Sequence, residues 1–443
     1  MRFLGVTETC DLGSLYMRLV AEGHEVRVFV GDDGAKGTMA GLVPRTANWR
    51  SELDWAGRDG IILFEAVSEG YGALQDALRA DGYRVIGGSA FGDRLENDRA
   101  FAQQAMAGLG LNTARVRHFS DAASGDAFLA ASPGRYVLKF SGPDFASSDN
   151  YVGQRVDGED VRAVLAGRFR ARGEAPADYI LMDHVAGVEM GVGAYFDGDR
   201  FLAPACLDWE HKRFFAGDMG ELTGEMGTVA TFDRSRGFFE LTLARMAPLL
   251  REHGHVGYVN LNTIVNSAGI WPLELTCRFG YPGFAVLEPL QDISWADLLR
   301  AMADRSAAAF PAWPGFSVGV VLTTPPFPYS RKQVDEPVGL PVMLEGPLDD
   351  EDRRHLHYGE VGLDDGGELV TSGLYGWTMV VTGTGATIAT ARRGAYARAA
   401  RIRVPSVRYR LDIGDRLIAS DYEAVAGLGL FSDEGDGQGE AER

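Results

Sequence analysis

Cysteine is scarce. Cys10, Cys206 and Cys277 are the only three in 443 residues, too scattered for a disulfide framework and without the CxxC or Cys/His spacing of a structural zinc site. Long apolar runs are missing too: none approaches the ~20 residues of a membrane-spanning helix. The N-terminus MRFLGVTETCDLG meets Glu8 and Asp11 before an apolar segment of signal-peptide length develops. A cytoplasmic protein with no membrane partner is expected. Positive charge is in deficit, with a formal net charge of -19, which argues against nucleic acid as the main partner. A small anion in a local basic pocket remains compatible. What is present is a globular composition, 46% hydrophobic and 10% aromatic. The chain exceeds the ~100 to 200 residues of an ordinary domain, so two or more packed units are expected.

MRFLGV, the amphipathic LGSLYMRLVAEG and EVRVFVG read as strand, helix, strand, and GIILFE, ALQDALRADG and YRVIGG repeat the pattern. An open, mostly parallel sheet over the first ~90 residues follows, with ligands at the strand C-termini. The first turn has one glycine and is no dinucleotide fingerprint. LENDRAFAQQAMAGLGL (95–111) reads as one helix, and a second, α+β unit starts near 110. RGFFELTLARMAPLLREHG (236–254) reads as a strongly apolar helix. VGYVNLNTIVNSAGIWPLELTCRFG reads as a β-hairpin turning at Asn266-Gly269. Beyond ~310, GFSVGVVLTTPP, a strand pair around LVTSG and YGWTMVVTGTG, and the helix ATIATARRGAYARAARI suggest a third unit. The tail DEGDGQGEAER has the composition of a disordered segment.

Three places carry chemistry. Lys139 ends the apolar strand RYVLKFSG ahead of a small polar loop, where an ammonium can meet nucleotide phosphates beneath a closing lid. ELTCRFG sets Glu274, Thr276 and Arg278 on one strand face, and YVNLNTIV sets Asn260 and Asn262 on another. A carboxylate beside neutral oxygen donors suits Mg²⁺, and arginine suits a transferring phosphoryl group. The third is WEHKRFFAGDMGELTGEMGT (209–228), which joins Glu210, His211, Lys212 and Arg213 to glycines 217, 220, 224 and 227. His211 and His253 read as local structural residues, and packing is as good a role for Trp209 and Tyr281 as stacking on a substrate.

With these pieces in order, the chain resembles the ATP-grasp superfamily, and within it the phosphoribosylamine-glycine ligases. EHKRFFAGDMGELTGEMGT is similar to that family's DHKR and GDTGPNTGGMGAY segments, ELTCRFGYPG to EFNCRFGDPE, and RYRLDIGDRLIA (408–419) closes a similar third unit. The resemblance implies an α/β and α+β multi-domain ATP-grasp fold: an N-terminal open parallel domain (1–95), a helical linker and small ATP-clamp domain (96–190), a central ATP-grasp domain (191–310), a C-terminal α+β domain (311–425) and a disordered tail (426–443). It implies ATP and Mg²⁺, or Mn²⁺, as cofactors, small-molecule amine and carboxylate substrates, a monomer or homodimer, and amide formation through an acyl phosphate. Residue by residue it implies Arg99, Lys139, Asp183 and Glu189 for the nucleotide and Glu274, Asn262 and Thr276 for the metal. Arg278, Lys212 and Arg213 would be catalytic cations, with Glu210, Asp218, Gly224, Asp11 and Tyr281 on the acceptor side.

The departures cluster. Arg99 stands where the superfamily has lysine, Thr276 where it has asparagine, and the lid SGPDFASSDNYVG is poor in glycine. In the substrate-contacting segments, Thr9-Cys10-Asp11-Leu12-Gly13 replaces a GGREH-type run, Tyr281-Pro282-Gly283 replaces DPE, and Leu222 and Glu225 replace Asn and Gly. The ATP half reads as retained and the acceptor half as rewritten, toward an amine less phosphorylated or more cationic than phosphoribosylamine. The alternatives are a divergent purine-pathway enzyme and a nucleotide-binding protein without catalysis.

Overall fold

The computed structural model describes residues 1–65, 70–140, 150–173 and 175–433. Most of the lid loop and the end of the acidic tail therefore lie outside the described residues. The chain divides into two compact units: Met1–Leu109, Glu189–Thr263 and Leu273–Arg443 form one, and Gly110–Val188 with Ile264–Pro272 the other.

The larger unit opens with the parallel sheet that the βαβ pattern predicts. Strands β1 (Arg2–Thr7), β2 (Glu25–Val30), β3 (Ile61–Phe64) and β4 (Arg84–Ile86) lie in the order β2-β1-β3-β4, every pairing parallel. Leu4, Val6, Ile62, Phe64 and Val85 pack with Trp49 and Leu78 on one side of it, the side that period-two alternation presents. The smaller unit holds β5 (Val116–Phe119), β6 (Tyr136–Phe140), β7 (Tyr151–Val152) and β8 (Tyr179–Asp183) in the order β5-β8-β6-β7. Its core joins Tyr136 and Leu138 to Val161, Leu165 and Phe169 of the helix Glu159–Ala171. Lys139, half-buried, follows Leu138 and so projects from the other face of β6.

An eight-stranded sheet dominates the larger unit. It contains β9 (Val188–Phe196), β10 (Cys206–Glu210), β13 (Gly227–Thr231), β14 (Gly257–Asn266), β15 (Gly269–Thr276) and β16 (Phe316–Thr323), with β18 (Leu356–Tyr358) and β21 (Trp377–Gly385), in the order β15-β14-β9-β10-β13-β16-β21-β18. Short side ribbons pair β11 (Arg213–Phe215) with β12 (Met219–Leu222), β17 (Met343–Leu344) with β22 (Ile402–Arg403), and β19 (Val361–Leu363) with β20 (Leu369–Thr371). The strand expected at LVTSG thus pairs with β19, while β21 joins β16 and β18.

Two helices expected as single rods are broken. Residues 95–111 span the end of Ala90–Asn97 and all of Arg99–Gly108, parted at Asp98, whose side chain accepts from Phe101 N and caps the second helix. The apolar run 236–254 becomes Arg236–Leu241, a 3-10 turn at Leu243–Met246 and Ala247–Glu252. Thr242 leaves helical geometry, and Pro248 lacks an amide donor at the start of the last segment. At the far end, Phe431 is buried against Trp209 and Tyr422, so ordered packing runs past the boundary expected at 425.

Glu65 follows β3 and accepts from Leu12 N and the Tyr16 hydroxyl, tying the first turn to the sheet. Burial, then the Asp11 carboxylate, pushes its carboxyl from 4.5 up to about 7 against the hydrogen bonds from Tyr16, Leu12 and Thr7. The folded chain then keeps a proton that the unfolded chain has lost, so this contribution to stability is complete below 4.5 and lost as pH rises through about 7. Thermal melting across that window should show the midpoint falling with pH, and Glu65→Gln should flatten the decline; an unchanged slope in the variant counts against it.

Candidate functional site

The site begins as an alternation pattern on neighbouring strands. Asp208 and Glu210 share one face of β10, and Asn260 and Asn262 share one face of β14. Between them runs β9, which has glycine where it faces these pairs. Asp208 is in register with Gly191, where a Cβ would stand 2.2 Å from Asp208 Oδ1; one on Gly193 would stand 2.0 Å from the Tyr258 hydroxyl. These two glycines let polar side chains from either flank meet over β9. Asn260 Nδ2 donates to Asp208 Oδ2 at 2.6 Å, and Asn262 Nδ2 to Glu210 Oε2 at 3.1 Å.

Above this floor lies a cavity of about 240 Å³. Asp11, Asp208, Glu210, Glu225 and Glu274 line it, against the cations Lys212 and Arg278. Gly224, Asn262, Thr276 and Tyr281 complete the predicted residues found on its wall, and Tyr281 stacks on Trp377 with ring centroids 5.1 Å apart. Arg278 lies past the end of β15 at Thr276, so it reaches the cavity from the loop that follows and not from the strand.

Lys212 is the electrostatic hub. Its Nζ lies 3.0 Å from Glu274 Oε1, 3.1 Å from Glu189 Oε1 and 3.2 Å from Glu210 Oε2. Burial pulls its pKa down, but the carboxylates of Glu210, Glu274 and Glu189 outweigh that and hold it well above the ordinary lysine value. In return Lys212, and then Arg99, holds Glu274 below the usual carboxylate range against its burial. Arg99, at the start of its helix, bonds Glu274 Oε2 at 3.1 Å, while its buried Nη1 finds no partner among the described residues. Arg278 is engaged by Glu96 at 3.1 Å and donates to the Phe279 carbonyl.

The acidic side is under strain of another kind. Burial, and then Glu210, pushes Asp208 up to about 8, and the same causes together with Asp208 push Glu225 well up. Asp11 accepts from Thr9 Oγ1 at 2.7 Å; burial raises its pKa, opposed by Thr9 and the Arg278 charge.

Two residues predicted in the 209–228 segment lie away from the cavity. Arg213 opens the β11–β12 ribbon and donates to the Gly220 carbonyl, and Asp218, in the turn of that ribbon, is held by Arg410 at 3.0 Å and Arg416 at 3.3 Å. Consecutive residues project oppositely from an extended chain, so Lys212 and Arg213 cannot both face inward. Gly217 lies in the turn and Gly220 at the bulge of β12, with φ of 70° and 81°. His211 is structural: it accepts from Gly414 N at 3.1 Å, and burial lowers it to about 4. His253 stacks on Phe91 and Trp209 packs in the core. Lys139 and Asp183 belong to the smaller unit, where Asp183 pairs with Arg117 at 2.6 Å.

Asp208, Thr228 and Trp377 went unpredicted. Asp208 had a signal, since it precedes Glu210 by two on a strand and must share its face. Trp377 had none, since it lies outside every motif and meets the cavity by packing on Tyr281.

Residues 97–283 match the family model for the phosphoribosylglycinamide synthetase ATP-grasp (A) domain. The phosphoribosylamine-glycine ligase of Streptomyces coelicolor is 30% identical over 416 residues, 91% of each chain. That of Pseudomonas syringae is 28% identical over 359 residues, 78% of this chain and 80% of that one. Among solved structures, the phosphoribosylamine-glycine ligase of Thermotoga maritima superposes with a TM-score of 0.70 at 22% identity, covering 93% of this chain and 100% of that one. The biotin carboxylase domain of Hydrogenobacter thermophilus 2-oxoglutarate carboxylase, solved with MgADP, shares the fold at a TM-score of 0.63 and 11% identity over 92% of this chain and 91% of its own. The similarity to the Streptomyces ligase runs nearly end to end, and the chain belongs to the phosphoribosylamine-glycine ligase family of ATP-grasp ligases.

Proposed function

We propose that the chain joins a carboxylate to an amine at the expense of ATP, with an acceptor pocket altered away from phosphoribosylamine toward an amine that carries no phosphate. In the reaction, a carboxylate oxygen attacks the γ-phosphorus of ATP and ADP departs. The amine nitrogen then attacks the acyl carbon, phosphate leaves, and the nitrogen gives up a proton as the amide forms. The observation that carries the altered pocket is its acidity: five carboxyl groups line it with two cations, Lys212 is shared among three carboxylates, and Arg278 is engaged by Glu96. A sugar phosphate entering there meets like charge without an unengaged cation to offset it.

The ATP side is better suited to anions. Arg99, with its buried unpartnered Nη1, is assigned to the phosphates. Lys139, Asp183 and Glu189 are assigned to the nucleotide on family resemblance. The carboxylate of Glu274 and the side-chain oxygens of Asn262 and Thr276 lie on one wall of the cavity, a hard-oxygen donor set that fits Mg²⁺ or Mn²⁺. When bound, the ion neutralises phosphate charge as it builds. Lys212 and Arg278 supply fixed positive charge beside it, and Tyr281 on Trp377 forms an apolar wall that helps keep water from a reactive acyl phosphate.

ADP release measured with glycine plus phosphoribosylamine, against glycine or other small acids plus a panel of unphosphorylated amines, tests the reading. Turnover is expected with an unphosphorylated amine; robust turnover with phosphoribosylamine instead would make this the purine-pathway enzyme in divergent form. Glu274→Gln should lower ligation on the order of a hundredfold or more while a MgATP titration weakens only partly. Undiminished ligation in that variant removes Glu274 from the metal site.

A further inference from the structure

We propose that the floor of the cavity, where Asp208, Glu225 and Asn260 meet, is a subsite for an organic ammonium group, so that the acceptor is a diamine held by one nitrogen while the other reacts. The diamine assignment rests on the ligase reading above; the ammonium subsite stands on its own geometry.

Hydrogen-bond arithmetic points to this ligand. Asp208 Oδ1, Glu225 Oε1 and Asn260 Oδ1 are buried and find no partner among the described residues, and their side chains are more than nine-tenths buried. All line the one cavity, as does Thr228, whose hydroxyl is buried and unpartnered too. Without a cation, burial and mutual repulsion raise both acids toward their protonated forms; beside one they ionise, and all three oxygens then want donors. An ammonium offers three N–H donors and no acceptor, whereas an ionised phosphate or carboxylate would add like charge beside both acids. Buried unpaired acceptors cost stability, and two buried carboxylates without a cation cost more.

Lys212 does not suffice here: its charge acts on both acids, yet burial and Glu210 outweigh it, and its ammonium contacts Glu189, Glu210 and Glu274. A metal ion is the other candidate cation, and competition by Mg²⁺ in the titration below separates it from an ammonium. Asn260 Nδ2 is spent on Asp208 Oδ2, which turns the amide oxygen of Asn260 away from that contact. The glycines of β9 make the room: a side chain at Gly191 or Gly193 would collide with Asp208 or Tyr258.

Isothermal titration of the full chain with putrescine, cadaverine and butylamine tests the subsite. The diamines are expected to bind on the order of tenfold more tightly than butylamine, and Asp208→Asn and Glu225→Gln are each expected to erase that margin. A parallel MgATP titration and melting curve verify that the variants are folded. No diamine binding, equal affinity for butylamine, a margin that survives in both variants, or displacement of putrescine by Mg²⁺ alone overturns the proposal. Diamine binding with no amine-dependent ADP release upholds the subsite and removes the ligase reading. Ligation of simple amines with no diamine margin does the reverse.

Discussion

The site depends on the ammonium of Lys212. It stands within about 3 Å of carboxylates that arrive on three different strands, Glu189 on β9, Glu210 on β10 and Glu274 on β15. Without it these groups would repel one another by several kcal/mol at the ~4 Å separations and intermediate dielectric of a partly buried site. The ammonium thus lets acidic residues be concentrated in a small cavity. The arrangement also limits what Lys212 can do: its charge is already shared, and an incoming anion must compete with three resident carboxylates.

That limit organises the rest of the cavity. On the Glu274 side, Arg99 adds a second cation with a nitrogen still unpaired, and neutral oxygens from Asn262 and Thr276 stand nearby. On the floor, Asp208 and Glu225 add carboxylates and no cation. A gradient from cation-assisted to acidic therefore crosses one cavity. It is built by strand order, because β10 and β14 bring Asp208 and Asn260 together over Gly191 and Gly193 of β9. Gly191 and Gly193 belong to the site as much as the residues they admit.

Much of this was legible in the sequence, for identifiable reasons. Period-two alternation placed Asn260, Asn262, Glu274 and Thr276, and three separated motifs in the right order pointed to the superfamily. The parallel opening sheet followed from its βαβ rhythm. The errors arose where a local signal met a tertiary one. Asp98 reads as an ordinary helical residue until its side chain caps the next helix. Arg213 looks equivalent to Lys212 in the EHKR run, but adjacent residues of an extended chain face opposite ways. Gly217 and Gly220 suggested close approach to substrate, and they instead supply the left-handed geometry of a ribbon's turn and of its bulge. Contacts distant in the chain, such as Trp377 on Tyr281 or Arg410 on Asp218, leave no local pattern to find.

The first turn carries the same chemical preference as the floor. Glu65 and Glu360 are buried and Asp11 half-buried, and Asp11 adds to the burial that raises both of the others, each to about 7. Glu360 stays high although the amides of Leu374, Tyr375 and Gly376 donate to it. Three backbone amides cannot offset burial beside like charge, which measures how poorly this corner would tolerate further negative charge. Arg278 is the cation that faces Asp11, and Glu96 already shares it. A phosphorylated acceptor would have to draw Arg278 away from both carboxylates, leaving them uncompensated where they are least solvated. A cationic or neutral acceptor would leave those contacts intact, in keeping with the acceptor proposed above.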